Sequence, residues 1–122
     1  MAYRLSVELG FSSAHQIHGY DGECANLHGH NWKIQVQVRT DRLDPVGMGM
    51  DFKQLKETVK KYVDQIDHQF LNELPEFKNV STTAENIAKW FHQSLANILP
   101  NGVKLDSVTI WETDKYRVEY SE

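Results

Sequence analysis

The sequence has one cysteine and no long apolar run, and each of these features excludes some classes of protein. A single cysteine, Cys24, cannot form a disulfide within the chain, which favours a reducing compartment and leaves the thiol for chemistry or burial. No segment approaches the ~20 apolar residues of a membrane helix, and the N-terminal stretch lacks the apolar core of a signal peptide. We therefore predict a cytoplasmic protein with no membrane partner.

Basic charge is also scarce. The chain has 13 basic and 17 acidic residues and a formal net charge of -4, so its composition argues against a nucleic-acid partner. Its 122 residues and 40% hydrophobic content fit a single domain, residues 1–122, with one modest core. An anionic substrate would need a local group of lysines or arginines.

Apolar residues that alternate with polar ones predict four strands. The alternation runs over residues 3–11 and again over residues 32–39, which is the two-residue period of a half-buried strand. Two more strands are predicted at residues 103–112 and 116–120, joined by a short turn. The polar, glycine-containing segment 13–26 lies between the first two strands and is predicted to be an irregular loop.

Helical spacing of apolar residues predicts two helices. The first spans about residues 52–66 and has Asp51 as its cap. The second follows a capping box of Thr82 and Glu85 and ends at Pro100. Its inner stripe is predicted to contain Ile87, Phe91, Leu95, Ile98 and Leu99.

The order strand, strand, helix, helix, strand, strand predicts an α+β fold, a four-stranded antiparallel sheet with both helices on one face. The opposite face of the second strand carries the polar residues Lys33, Gln35, Gln37 and Arg39. Both sheet edges also need cover, and closure through neighbouring subunits is one way to provide it.

Three histidines are predicted to meet at one end of this sheet. His28 and His30 have the strand parity of Trp32, so both imidazoles should point to the helix-covered face. His15 has the parity of the first strand's buried face and should lie beside them. Three imidazoles with a fourth position for water or substrate resemble a catalytic zinc site. His18 is a rival third ligand, but it lies further into the loop.

The lone cysteine allows two interpretations. Cys24 could join the three histidines in a closed structural zinc site. Alternatively, its thiolate could act as a base beside the metal, because a nearby cation or histidine would bring the thiol pKa of ~8.5 towards neutrality. Its position four residues before His28 favours the second interpretation.

Two further groups carry carboxylates. Asp67 and His68 directly follow the first helix, and they could form an acid-base pair if that helix ends by about Ile66. Glu112 shares the parity of the apolar residues of the third strand, so its carboxylate should point to the face that carries the histidines. A buried carboxylate needs partners, which are either paired N–H donors of a ligand or a nearby lysine.

Six ordered motifs resemble those of the 6-pyruvoyltetrahydropterin synthase family, in particular its bacterial 6-carboxytetrahydropterin synthase branch. They are FSSAHQIHG, CANLHGHNW, DPVGMGMDF, IDHQFLN, STTAEN and IWETDKY. The resemblance covers nearly the whole chain. It implies the tunnelling fold, in which the four-stranded sheets of neighbouring subunits join into a barrel as trimers, and two trimers usually stack into a homohexamer.

The resemblance also implies a metal site and a base. By their matching positions, His15, His28 and His30 would bind Zn²⁺. Cys24 would be the base that removes a proton from the substrate. Family active sites lie between subunits, so the cysteine and the proton relay can come from different chains.

The remaining roles implied by the resemblance concern proton return and the pterin ring. Asp67 and His68 match the relay pair. Glu112 matches the glutamate that anchors the pterin, and Thr83 matches a threonine that helps to hold the ring.

The implied substrate is 7,8-dihydroneopterin triphosphate. The bacterial branch releases acetaldehyde and triphosphate and forms 6-carboxytetrahydropterin, a precursor of 7-deazaguanine and queuosine, whereas the animal branch forms the 6-pyruvoyl compound. The spacing of four residues from the cysteine to the first HGH histidine is typical of bacterial members, while STT before the second helix is closer to the animal form. Lys33, Lys115 and Arg117 are candidates for the triphosphate only by exclusion.

Overall fold

The computed structural model describes residues 2–19, 22 and 25–122. The strands and helices are β1 (Tyr3–His15), β2 (His28–Thr40), α1 (Phe52–Ile66), α2 (Ala84–Leu95), β3 (Lys104–Thr113) and β4 (Tyr116–Tyr120). The strands form one antiparallel four-stranded sheet in the order β1-β2-β3-β4. The predicted α+β class is therefore confirmed. No helix among the described residues is long and apolar enough to cross a bilayer.

The first two strands are longer than predicted. β1 continues to His15, and β2 begins at His28, so the loop prediction was wrong for residues 13–15. The two strands pair without a register shift from Tyr3 opposite Thr40 to His15 opposite His28. Most of the extra strand residues are polar or small, and hydrophobic alternation therefore could not reveal them although their backbones are paired.

The first helix forms where its apolar spacing predicts. The side chain of Asp51 accepts a hydrogen bond from the backbone N–H of Lys53 at 2.9 Å, which confirms the predicted cap. Residues Leu55, Val59, Val63 and Ile66 of α1 are buried. The helix ends at Ile66, whose carbonyl accepts a hydrogen bond from the Ser13 hydroxyl of β1. The end of α1 is thereby joined to the neighbourhood of the histidines.

The second helix differs from its prediction at both ends. Thr83, and not Thr82, is the cap, because its hydroxyl accepts the backbone N–H of Asn86 at 3.2 Å. Thr82 is fully buried, and its hydroxyl donates to Asn72 Oδ1 at 3.1 Å instead. At the other end, α2 stops at Leu95. Pro100 lies five residues beyond this end, and the N–H of Ile98 donates to the carbonyl of Leu95 at 3.2 Å, so a turn and not the helix leads to the proline.

The inner stripe predicted for α2 is correspondingly too long. Ile98 lies beyond the helix in a turn and is 46% exposed, so its assignment to the core was wrong. Leu99 packs only partly against the core. The correctly predicted members, Ile87, Phe91 and Leu95, have no exposed surface.

The core lies between the sheet and the helices. Trp32, Ile34, Val36 and Val38 of β2 are at most 2% exposed, as their common parity predicts. The ring of Trp32 stacks on that of Phe11 of β1, with centroids 5.8 Å apart. This aromatic pair closes the core directly below the end of the sheet that carries the three histidines.

Residues 67–70 cover one end of the outer edge of β1. The N–H of His68 donates to the carbonyl of Ser12 at 2.6 Å, and the N–H of Ala14 donates to the carbonyl of Gln69 at 3.0 Å. Among the described residues, no comparable segment bonds to residues 3–10 of β1. In the part of the chain that the structure describes, β1 and β4 each have one neighbouring strand.

Candidate metal centre and active site

Strand pairing brings three histidines together at one end of the sheet. His15 lies opposite His28, and His30 lies two residues further along the same face of β2. One ligand atom from each of these residues and one from Glu112 lie within 4.8 Å of one another. His18, the rival ligand, is exposed and is not part of this group.

Backbone carbonyls set the tautomers of two of these histidines. His15 Nδ1 is 2.7 Å from the carbonyl oxygen of Thr82, and His28 Nδ1 is 2.6 Å from that of Asn26. Because a carbonyl oxygen only accepts, each Nδ1 carries the hydrogen and each Nε2 keeps its lone pair. His15 Nε2 is buried and has no hydrogen-bond partner among the described residues. This is the arrangement of metal-binding histidines, whose second nitrogen is held by an outer partner.

The surroundings also favour the neutral imidazoles that bind metals. Burial lowers the pKa of His15, and the Thr82 carbonyl opposes this only in part. Burial likewise lowers the pKa of His30, against the attraction of the Glu112 carboxylate. A lowered histidine pKa keeps the lone pair free at neutral pH, and divalent metals need that form. The residues therefore fit a zinc ion.

Glu112 lies beside the histidines, as its strand parity predicts. Its Oε1 is 3.0 Å from His30 Nε2, and its side chain is 28% exposed. His30 Nε2 is buried, and the contact does not meet hydrogen-bond geometry. The alternative of a lysine partner is not seen among the described residues.

Asp67 and His68 form a contact that depends on where α1 ends. His68 has a φ of 57°, a left-handed conformation that is uncommon outside glycine and turns the chain sharply. His68 Nδ1 lies 2.9 Å from Asp67 Oδ1, which also accepts the N–H of Ser12 at 2.9 Å. This N–H, and then His68, lowers the pKa of Asp67. A carboxylate held ionised in this way can orient the imidazole and stabilise its charged form.

His68 and His30 border the same open cleft. The cleft has a volume of about 540 Å³ and is lined mainly by residues 12–14, 29–31 and 68–70. The side chain of His68 is 80% exposed. The proposed relay thus borders a space that a small molecule can enter, whereas His15, His28 and Glu112 are not among the residues that line it.

Thr83 and Cys24 are the remaining predicted site residues. Thr83 uses its hydroxyl as the cap of α2, and it directly follows Thr82, whose carbonyl holds His15. Cys24 lies outside the described residues, and its role stays a prediction.

Sequence reasoning missed the groups that support the histidines. The carbonyls of Thr82 and Asn26 belong to the main chain, and no residue type signals them. Asn72 was also missed: its Oδ1 accepts the N–H of Gln16 at 2.9 Å, and its Nδ2 donates to the Gln16 carbonyl at 2.8 Å. This pair of bonds fixes the chain immediately after His15.

The fold and the site together define an α+β protein with a candidate metal centre of three histidines and one carboxylate at one end of its sheet. A family model described as 6-pyruvoyl tetrahydropterin synthase matches residues 4–122. The chain therefore belongs to the 6-pyruvoyl tetrahydropterin synthase family.

Its relatives carry several activity names. The 6-carboxy-5,6,7,8-tetrahydropterin synthase of Haemophilus influenzae is 31% identical, and the alignment covers 98% of this chain and 99% of that protein. The dihydroneopterin monophosphate aldolase of Pyrococcus furiosus is 33% identical over 98% of this chain and 97% of that protein. The solved structure of 6-pyruvoyl tetrahydropterin synthase from Caenorhabditis elegans has a TM-score of 0.89 and 31% identity, covering 100% of this chain and 96% of that one. The tunnelling fold predicted for the single chain is thereby confirmed.

Proposed function

We propose that this protein is a zinc-dependent lyase that converts 7,8-dihydroneopterin triphosphate and water into 6-carboxy-5,6,7,8-tetrahydropterin, acetaldehyde and triphosphate, in 7-deazaguanine and queuosine biosynthesis. The observation that carries the proposal is the group of His15, His28, His30 and Glu112, whose ligand atoms lie within 4.8 Å of one another. Family membership and the Haemophilus influenzae relative of that name support it.

His15, His28 and His30 are the residues that would hold the ion. Zinc bound there supplies Lewis-acid chemistry, which polarises the hydroxyls of the substrate side chain and acidifies its neighbouring protons. The carbonyls of Thr82 and Asn26 keep two of the rings in the ligand tautomer. The chain's contribution is therefore a set of nitrogens that needs little rearrangement to bind metal.

Proton transfer is assigned to two groups. Cys24 removes a proton from the substrate side chain, on the basis of its motif. His68 returns the proton, because the 2.9 Å contact of its Nδ1 with Asp67 leaves Nε2 as the nitrogen that can exchange a proton with a ligand in the cleft. The lowered pKa of Asp67 keeps its carboxylate charged when the imidazole is protonated.

Substrate binding is assigned to Glu112 and Thr83. The two oxygens of Glu112 can accept the 2-amino group and the ring N–H of a pterin, which is a paired donor set. Thr83 lies at the start of α2, beside the residue whose carbonyl holds His15.

The triphosphate requires cations. Lys33 and Arg117 belong to the strands that flank Trp111, and they lie over its ring at 4.1 Å and 5.9 Å from the centroid. Trp111 precedes Glu112 on β3, so the two side chains point to opposite faces of the sheet. Lys115 lies in the turn after Glu112 and is therefore the best candidate within one chain.

We also propose a homohexamer built from two trimers. Residues 3–10 of β1 and the whole of β4 lie on the two sheet edges, and the polar face of β2 is not the helix-covered one. Pairing of β4 in one subunit with β1 in the next would cover both edges and enclose the polar face.

The assembly gives a direct prediction. Because three sheets close the proposed barrel, we expect a mass in solution of an integer multiple of three chains, each of 14.1 kDa, with six chains as the main species. Sedimentation equilibrium measures this mass without a shape assumption. A monomer or a dimer over the whole concentration range would contradict the proposal.

A second candidate function is 6-pyruvoyltetrahydropterin synthesis from the same substrate. It is favoured by the TM-score of 0.89 with the Caenorhabditis elegans synthase and by the STT sequence before α2. Both reactions need the same ion, base and pterin anchor, so they differ in whether a carbon–carbon bond of the side chain breaks.

The product therefore tests the proposed function. Purified zinc-loaded protein with 7,8-dihydroneopterin triphosphate should release one acetaldehyde per triphosphate, together with the 6-carboxy product. Triphosphate release with all side-chain carbons retained would establish the pyruvoyl reaction instead. Formation of glycolaldehyde triphosphate and a 6-hydroxymethyl pterin, with no free triphosphate, would indicate an aldolase. No turnover by protein that holds zinc would favour a non-catalytic zinc domain.

A further inference from the structure

Glu112 touches the candidate metal centre in a way that its pterin-binding role does not explain. We infer that Glu112 is a fourth ligand of the metal ion in the substrate-free protein and leaves the ion when a pterin ring binds. The metal contact can be tested without reference to any substrate. The exchange rests on the proposed function, because that function supplies the pterin.

The distances support a metal contact. Glu112 Oε1 lies 3.0 Å from His30 Nε2, and ligands of a tetrahedral zinc, each ~2.0–2.2 Å from the ion, lie roughly 3.3–3.5 Å apart. An ion bound to His30 Nε2 would therefore lie within reach of this oxygen. The carboxylate belongs to the same group of ligand atoms as the three histidines, all within 4.8 Å of one another.

The geometry of the contact points in the same direction. A neutral imidazole and a carboxylate 3.0 Å apart would ordinarily form a hydrogen bond, but this pair does not have hydrogen-bond geometry. His15 Nε2 is likewise buried and without a hydrogen bond among the described residues. Two nitrogens and an oxygen that converge without bonding one another are suited to a common ion.

Charge gives a further reason. Three neutral imidazoles leave both charges of a divalent ion uncompensated, and one carboxylate cancels half of that charge. Glu112 forms no ion pair with a lysine or arginine in the part of the chain that the structure describes. With its side chain 28% exposed, the carboxylate is partly removed from water and gains from a cationic partner.

The two roles of Glu112 compete. A pterin offers its amino group and ring N–H as a pair, which needs both carboxylate oxygens, whereas a metal-bound carboxylate has one oxygen committed. Binding of a ring without side-chain hydroxyls would remove Glu112 from the ion and would supply no replacement ligand. A ring with a hydroxylated side chain would replace the lost ligand. The exchange therefore selects pterins that carry side-chain hydroxyls.

The metal contact is tested with Co²⁺, whose visible absorption reports the number and type of ligands. We expect Glu112→Gln to weaken Co²⁺ binding by at least the ~10–100-fold that the loss of an outer partner costs, and to change the visible spectrum in the absence of any pterin. Glu119→Gln is the matched control, because Glu119 is an exposed carboxylate of the same sheet. Unchanged affinity and spectrum in Glu112→Gln would overturn the inference.

The exchange is tested on the unaltered protein, so it does not depend on the folding of a variant. Fluorescence titrations with unsubstituted pterin and with neopterin, which has side-chain hydroxyls but no triphosphate, are made with metal-free and zinc-loaded protein. We expect zinc to weaken the binding of pterin several-fold and to leave neopterin binding equal or tighter. Equal effects of zinc on both compounds would contradict the exchange.

These results separate the inference from the proposed function. If Glu112→Gln binds Co²⁺ normally while the unaltered enzyme releases acetaldehyde, the inference fails and the function stands. If the metal contact and the exchange are both observed while 7,8-dihydroneopterin triphosphate is not converted, the inference stands and the proposed function fails. Failure of the unaltered protein to bind any metal would overturn both.

Discussion

His15→Ala protein is expected to lose its bound zinc and nearly all of its activity. His15 would supply one of the three histidine ligands, so its removal should weaken zinc binding by more than the ~10–100-fold typical of losing an outer partner. Lewis-acid stabilisation is worth several kcal/mol, and each 1.36 kcal/mol is tenfold in rate, so turnover should fall by ~10³ or more. Metal analysis after gel filtration and the acetaldehyde assay measure the two effects.

His18→Ala is the matched control for this experiment. His18 is three residues away in the same segment but is exposed and outside the ligand group, so we expect full zinc content and near-normal turnover. Because His15 is 1% exposed, circular dichroism must show that the His15 variant is folded, and His15→Gln gives a second variant of closer volume. Retention of zinc by both His15 variants, or its loss from His18→Ala, would refute the assignment.

The second large effect concerns the cysteine. Cys24→Ala should keep its zinc and its fold and lose turnover by ~10²–10⁴, which is the usual contribution of a positioned general base. The measurement is zinc content and single-turnover rate on the same preparation. Cys24→Ser should behave in the same way, because a serine hydroxyl is far less acidic than a thiol and forms little anion near neutral pH.

The opposite result would indicate a different class of protein, one with a structural zinc site. If Cys24→Ala loses zinc and unfolds, the thiolate is a ligand and the centre is a closed structural site of one cysteine and three histidines. The inference about Glu112 would then fail as well, since a fourth position occupied by sulfur leaves no place for the carboxylate. The cysteine variant therefore tests both the function and the ligand set.

The convergence of the site residues could be predicted because alternate residues of a strand point to the same face of the sheet, and paired strands share that face. His28 and His30 share the parity of Trp32, and Glu112 shares that of its apolar neighbours on β3. His15 lies beside them only because β1 pairs with β2 without a shift over its whole length. A single bulge in β1 would have turned its imidazole to the other face.

Other features could not be read from residue types. Thr82 and Thr83 are chemically identical, and only the packing of Thr82 beside Asn72 makes Thr83 the helix cap. Beyond residue 11, β1 continues through residues that show no apolar alternation, and only their pairing with β2 makes them a strand. The end of α1 at Ile66 also involves a long-range contact, since the Asp67 side chain accepts the N–H of Ser12 in β1.

The sequence by itself determined the order of the strands and helices, the face on which His28 and His30 lie and the family to which the chain belongs. These follow from local periodicity and from motifs, which are properties of neighbouring residues. The tertiary structure alone decided which carbonyls hold the rings, how Asp67 meets His68 and that Glu112 touches His30. Such contacts depend on distances between segments far apart in the chain, and no local pattern fixes such a distance to within a few tenths of an ångström.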